Sequence, residues 1–222
     1  MMNKTYHKPL RYSILTFLIL ILLESIAYIG FLKVIPNFLL KYGLWMIYLD
    51  ITVASIAMAI LYVLSNKTKV PCMSGMMIAM TIGMQIGMMV GAVIGATNGY
   101  FTGAMVGMIL GSIGGVVAGF TSKSTMSWLQ GLMSGIMGGT MGPMISVMMF
   151  TDRLAVFMLF YIILNVILLV GFMKMYHEEA VADNKDLVKK DIDLVTFASA
   201  CILVTAILLI IMFYGPKAPF FV

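Results

Sequence analysis

From Gly83 to Gly119 every fourth residue is glycine: Gly83, Gly87, Gly91, Gly95, Gly99, Gly103, Gly107, Gly111, Gly115 and Gly119, with Gly75 and Ala79 extending the row toward the N-terminus. Glycine costs about 1 kcal/mol per position in an ordinary helix, so the row needs a reason. Small residues four apart on a membrane helix supply one. They let a neighbouring backbone approach closely, so that van der Waals contact replaces the hydrophobic drive that lipid removes. Four residues turn a helix about 400°, so each step carries the row about 40° around the surface. A neighbour that follows it wraps in the right-handed sense. The pattern returns as Gly131, Gly135 and Gly139, beside a second small row of Ser134, Gly138 and Gly142.

The rest of the chain supports a membrane setting. Of 222 residues, 62% are apolar and 10% charged, where a soluble domain carries about a quarter charged residues to solvate its surface. Seven segments are long enough to cross a hydrocarbon core about 30 Å thick: residues 12–32, 43–64, 72–97, 99–120, 126–150, 154–173 and 194–214. Lipid leaves unpaired backbone groups unsatisfied, so helices are expected, and the short alternating segments of a membrane barrel are not seen. The expected fold is therefore all-α: one polytopic transmembrane bundle over residues 1–222, with about seven spans. Its third, fourth and fifth spans are expected to form a tightly packed glycine-rich core. The first apolar run follows Lys4, Lys8 and Arg11 but is longer than a signal core, holds Glu24 and lacks a cleavage site. It is read as a retained span.

Pro36-Asn37 and the run from Lys67 to Pro71 end the first two connections. A straight helix from Cys72 to Gly119 would far exceed the bilayer thickness, so Thr97-Asn98-Gly99 is expected to fold the glycine row into a hairpin. Lys and Arg distribute unevenly between the two sides. Lys4, Lys8, Arg11, Lys67, Lys69, Lys123, Lys174, Lys185, Lys189 and Lys190 fall on one side, and Lys33, Lys41, Arg153 and Lys217 on the other. The positive-inside rule then expects a cytoplasmic N-terminus, in the cytoplasmic membrane of a bacterium, and a cytoplasmic connection over residues 174–193. The net charge of +5 thus reflects topology, and no nucleic-acid partner is expected. In that connection His177, Glu178 and the acids after them mix with lysines, which reads as a solvated loop.

Methionine accompanies glycine. Of 24 methionines, sixteen lie between Met73 and Met149. Cys72, Met73, Met76, Met77, Met80, Met84 and Met88 mark the third span, and Met133, Met137 and Met141 the fifth. Thioethers one helical turn apart recur about every 6 Å along the axis. Neutral thioethers suit a soft monovalent ion such as Cu(I), where carboxylates would suit Mg or Ca, and repeated weak sites along a path suit conduction. Cys72 would stand at the cytoplasmic mouth of the row. The structural alternative is that methionine, flexible and polarizable, fills gaps between glycine-rich helices.

Met76-x-x-x-Met80 on one membrane helix, with Gly-x-x-x-Gly packing, resembles features of the eukaryotic high-affinity copper transporters. That resemblance implies copper handling by these methionines. Those proteins have three spans and assemble as trimers, whereas seven are expected here, so shared descent is not implied.

Two acids lie within spans, Glu24 and Asp50. Counted from the same side they sit at similar depth, and intramembrane carboxyls usually face an interior. A pair could share a proton and serve proton or ion coupling. Alternatively Tyr28, one turn on, satisfies Glu24, and Asp50 lies near the interface marked by Trp45. Thr81, Gln85 and Asn165 are expected to hydrogen bond between helices. Nucleotide loops, nucleophile–base sets and haem motifs are not seen in the sequence, so no enzyme is expected. The function expected is binding or transport of a soft metal ion, most consistently Cu(I). The alternatives are a non-catalytic assembly protein, as a homo-oligomer or with a membrane partner, and a channel or transporter for another small solute.

Overall fold

The computed structural model describes residues 7–30, 38–67, 71–122, 124–178, 188–189 and 194–217. Within them run seven helices: α1 (His7–Gly30), α2 (Phe38–Ser65), α3 (Cys72–Asn98), α4 (Tyr100–Gly119), α5 (Thr125–Met148), α6 (Leu154–Tyr176) and α7 (Leu194–Tyr214). Five stretches are long and apolar enough to cross a membrane: Tyr42–Leu64, Cys72–Asn98, Tyr100–Ser122, Leu154–Tyr176 and Phe197–Tyr214. An all-helical chain with five such helices is a multi-pass membrane protein in contact with the lipid bilayer. The described apolar part of α1 is the shorter stretch Ile14–Ser25, and α5 is not among the five. The reason in α5 is local: its buried positions are Ser127, Gly131, Ser134, Gly135, Gly138, Gly139, Gly142, Pro143 and Ser146. Small and hydroxylated residues lower its hydropathy although neighbouring helices enclose that face.

Helices α3, α4 and α5 approach backbone to backbone. A Cβ placed on Gly83 would lie 2.7 Å from the Gly131 carbonyl oxygen and 3.1 Å from the Gly115 Cα. One on Gly87 would lie 2.5 Å from the Gly139 nitrogen, and one on Gly107 would lie 3.0 Å from the Gly87 oxygen. One on Gly103 would meet the Gly95 Cα at 2.6 Å, one on Gly111 the Gly135 oxygen at 2.9 Å, and ones on Gly91 and Gly95 the Pro143 ring at 2.9 and 2.7 Å. Gly115 and Gly131 would obstruct each other's backbone. These pairings also fix direction. Gly95, Gly87 and Gly83 meet Gly103, Gly107 and Gly111 in reverse order, so α3 and α4 are antiparallel. Gly115, Gly111 and Gly107 meet Gly131, Gly135 and Gly139, so α4 and α5 are antiparallel and α3 runs parallel to α5.

The turn between α3 and α4 is a single residue. Gly99 has φ 92° and ψ 170°, a backbone conformation open to glycine and strained for a side chain. Its N–H bonds the Gly95 carbonyl at 3.0 Å, and its own carbonyl receives the Gly103 N–H at 3.1 Å. Asn98 does more than favour a turn. Its Nδ2 donates to the Ile211 carbonyl at 3.1 Å, which fastens the hairpin tip to the end of α7, while Thr97 Oγ1 donates to Asn98 Oδ1 at 2.8 Å.

The other helices enclose this triplet unevenly. Of the apolar windows, that of α3 is 72% buried, against 28% for α6 and for α7. So α3 is the axis, and α6 and α7 present mainly lipid-facing side chains. Between α2, α3, α6 and α7 lies an aromatic and aliphatic core including Leu49, Tyr62, Ile78, Ile94, Met158, Tyr176, Leu208 and Met212. At one end Tyr42 stacks edge-on with Phe213 at 5.5 Å. At the other, Tyr62 and Tyr176 stack at 5.7 Å, Tyr62 Oη and His177 Nδ1 are 2.8 Å apart, and Asn66–Lys67 pairs antiparallel with Val188–Lys189. Of the polar connection, residues 179–187 and 190–193 lie outside the described residues.

Replacing Gly131 with Ala drives a methyl group into the Gly115 backbone, which cannot yield as a side chain would, and overpacking of this kind costs about 1–3 kcal/mol. Gly171 has nothing within 4 Å of its Cβ position. Thermal unfolding in detergent should therefore show a lowered midpoint for Gly131→Ala. Gly171→Ala should leave it unchanged or raise it, by up to about 1 kcal/mol of helix propensity.

Candidate functional site

The methionines of α3 and α5 flank one seam. Gly138 of α5 has no side chain, so the helix settles on the Met84 backbone, and a Cβ there would meet the Met84 Cα at 2.9 Å. Four residues on, Gly142 repeats this against Met88, with its Cβ position 2.9 Å from the Met88 Cα. One turn before Met84 on α3 and two turns before Gly138 on α5, Gln130 Nε2 donates to the Met80 sulfur at 3.6 Å. Met141 lies three residues beyond Gly138 and so stays on the face toward this seam.

Within the seam, exposure is graded. Met76, Met84 and Met88 are half-buried, and Met89 is fully buried in the aliphatic core. Met73, Met77 and Met80 are exposed, as are Met133, Met137 and Met141, and Met133 at 61% points well away from the helix junction. The thioether row therefore borders the outer side of the α3–α5 seam rather than an enclosed channel. It does so because glycine, serine and proline take the inward positions of α5. Neither α3 nor α5 contains a charged residue, so the seam is neutral and offers soft sulfur donors. Among the described residues no cluster of three or more His, Cys, Asp or Glu side chains could hold a metal ion. Any metal contact in the seam thus falls to sulfur.

Cys72, the first residue of α3, is exposed. Its Sγ lies 3.0 Å from Ser124 Oγ, just before α5, so it stands at the end of the same seam. Cys201 is buried in α7, where it lines an apolar cavity of about 410 Å³ with Ile60, Val90, Leu110 and Phe197.

The chain matches no protein-family model, no curated protein and no solved structure with which it was compared. Its geometry therefore has to carry the functional reading.

The structure brings Glu24 of α1 and Asp50 of α2 close enough for each carboxyl to act on the other. Asp50 is fully buried, and Trp45 is buried as well. The Tyr28 side chain lies outside the described residues. Two polar expectations are corrected. Thr81 Oγ1 donates to the Met77 carbonyl at 2.8 Å, and Asn165 Nδ2 to the Tyr161 carbonyl at 2.8 Å. Both bonds lie within one helix, because a carbonyl one turn back is always in reach. Buried Gln85 has no partner for its Oε1 among the described residues.

Pro143 interrupts the glycine and methionine pattern of α5. It lies inside α5 and cannot donate to the Gly139 carbonyl. Gly107 and Gly91 approach that oxygen instead, their Cβ positions at 3.1 and 3.4 Å. A proline four residues after a glycine of the row was the available signal.

Exposure separates the two thiols. In intact detergent-solubilised protein a water-soluble maleimide should label Cys72 and spare Cys201, with Cys201 reacting only after denaturation. Mass spectrometry of the cysteine peptides reads this directly.

Proposed function

We propose that this chain is a seven-span protein of a bacterial cytoplasmic membrane that binds or transports a soft monovalent metal ion, with Cu(I) as the substrate. The observation that carries the reading is the α3–α5 seam, where glycines seat one helix on the Met84 and Met88 backbones and line thioethers of both helices along one neutral edge. A soft cation meets polarizable sulfur there without a carboxylate to favour harder ions. Cys72, exposed at the end of the seam, supplies the one thiol from which an ion enters or leaves the row. In this reading Met76, Met84 and Met88 form the inner part of the path, and Met80 and Met141 its rim. The glycine-packed triplet acts as the frame that keeps the row straight. The excess of Lys and Arg on one side supports a cytoplasmic N-terminus and places Cys72 on the cytoplasmic side.

The exposure of Met73, Met77, Met133 and Met137 favours a second reading. Thioethers that face outward also suit docking of another helix, whether from a second copy or a membrane partner. Here the glycine-packed chain would be an assembly protein and the methionines its adaptable contact surface.

Titration of the purified protein with Cu(I) under reducing conditions, against a competing chelator, separates the two. Saturable binding that is lost when Met80, Met84 and Met88 become Leu supports the metal reading. Binding absent from the wild type, or unchanged in the triple variant, sinks it.

A further inference from the structure

We infer that Glu24 and Asp50 form a proton-binding carboxyl pair between α1 and α2, a second site separate from the thioether seam. Asp50 is 0% exposed, and neither of its oxygens has a hydrogen-bond donor among the described residues. The enclosed Oε1 of Glu24 likewise has none. The hydroxyls nearest in sequence are turned to their own helices. Ser25 donates to the Ile21 carbonyl at 2.7 Å, Thr52 to the Leu49 carbonyl at 2.7 Å and Ser55 to the Ile51 carbonyl at 2.7 Å.

Among the described residues no neighbouring element compensates. On α2 itself, the Tyr48 hydroxyl donates to the Ala155 carbonyl of α6 at 2.9 Å. Tyr176 of α6 donates to the Val63 carbonyl, and Tyr214 of α7 is exposed. Tyr161, Lys174 and Cys201 are not among the groups that act on either carboxyl. Helix α3 has no ionisable side chain but Cys72 at its far end, and the Tyr28 side chain lies outside the described residues. Among the described residues each carboxyl therefore has one polar counterpart, the other carboxyl.

Two facing carboxylates with no cation and no donor among the described residues cannot both be ionised in a low-dielectric interior. One proton resolves both problems. It removes one charge, and it becomes the missing donor, from the acid of one residue to the carboxylate of the other. The two members differ in access. Glu24 is half-buried and Asp50 wholly enclosed, so Glu24 is the member that takes up and releases the proton and Asp50 the carboxylate that accepts its hydrogen bond. A site of this kind links a proton to whatever else the helices do, because α1 and α2 cannot hold the same contact when both acids are ionised.

The test uses the full-length protein in phosphatidylcholine vesicles. Dicyclohexylcarbodiimide modifies a carboxyl that carries a proton in an apolar setting, and the adduct is located by mass spectrometry. One adduct per chain on Glu24, lost in Glu24→Gln, is the expected result. Infrared difference spectroscopy of the wild type should show a protonated carboxyl band at neutral pH that shifts on exchange into deuterated water. Absence of that band overturns the proposal even if the variant misfolds, since it needs only the wild type. Protection from the carbodiimide by sodium also overturns it, because a metal cation would then occupy the pair. Neither outcome depends on Cu(I) binding, so failure here and failure of the thioether reading are told apart.

Discussion

Contact between bare backbones at the centre of α3, α4 and α5 is the constraint on which the rest of the structure depends. In lipid, one apolar side chain gains little by leaving its surroundings for another. Helices that meet through Leu and Ile stay about 8–10 Å apart, and dispersion at that distance is carried by flexible groups. Removing every Cβ from the contact lets peptide planes touch, where many atoms lie at van der Waals distance and no rotamer entropy is lost on packing. The arrangement is also intolerant. At Gly131, Gly135 and Gly139 the atoms that a methyl group would meet are backbone atoms of α4, and these cannot turn aside.

That constraint determines where the chemistry can lie. With glycine and serine on the inward faces, the larger side chains of α3 and α5 are displaced to the flanks, and most of these are methionines. A thioether lining thus arises on the outside of the seam as the geometric complement of the glycine interior. The carboxyls obey a different rule. They sit away from the triplet, between α1 and α2, in a region packed by ordinary side chains where a polar group can be enclosed. The protein therefore separates a soft neutral edge from a hard titratable pair by placing them on helices with different packing chemistry.

Much of this was legible in the residues. The helix boundaries followed from Pro71, from the Asn98-Gly99 break and from the length of the apolar runs, because those signals are local. The antiparallel hairpin followed from the row being too long for one crossing. The Glu24–Asp50 contact was legible through equal depth, since charge in lipid leaves few places to go. The outward direction of Met73, Met77 and Met133 was not legible. A row repeating every four residues drifts around the helix, so sequence alone says which residues share a stripe but leaves open which stripe faces a neighbour. Nor was the Asn98 bond to Ile211, which joins positions far apart in the chain. Thr81 and Asn165 bond within their own helices for a reason the sequence does contain, the proximity of the preceding turn.

Pro143 gives the glycine core a property that close packing alone would not. The Gly139 carbonyl lacks the Pro143 amide as a donor, and the backbones of Gly91 and Gly107 stand beside it from the other two helices. Up to Gly139 the helix is a continuous hydrogen-bonded rod, and beyond it the final stretch to Met148 is joined through one fewer rung. The missing rung lies toward the end of the triplet where Asn98 anchors α3 to α7.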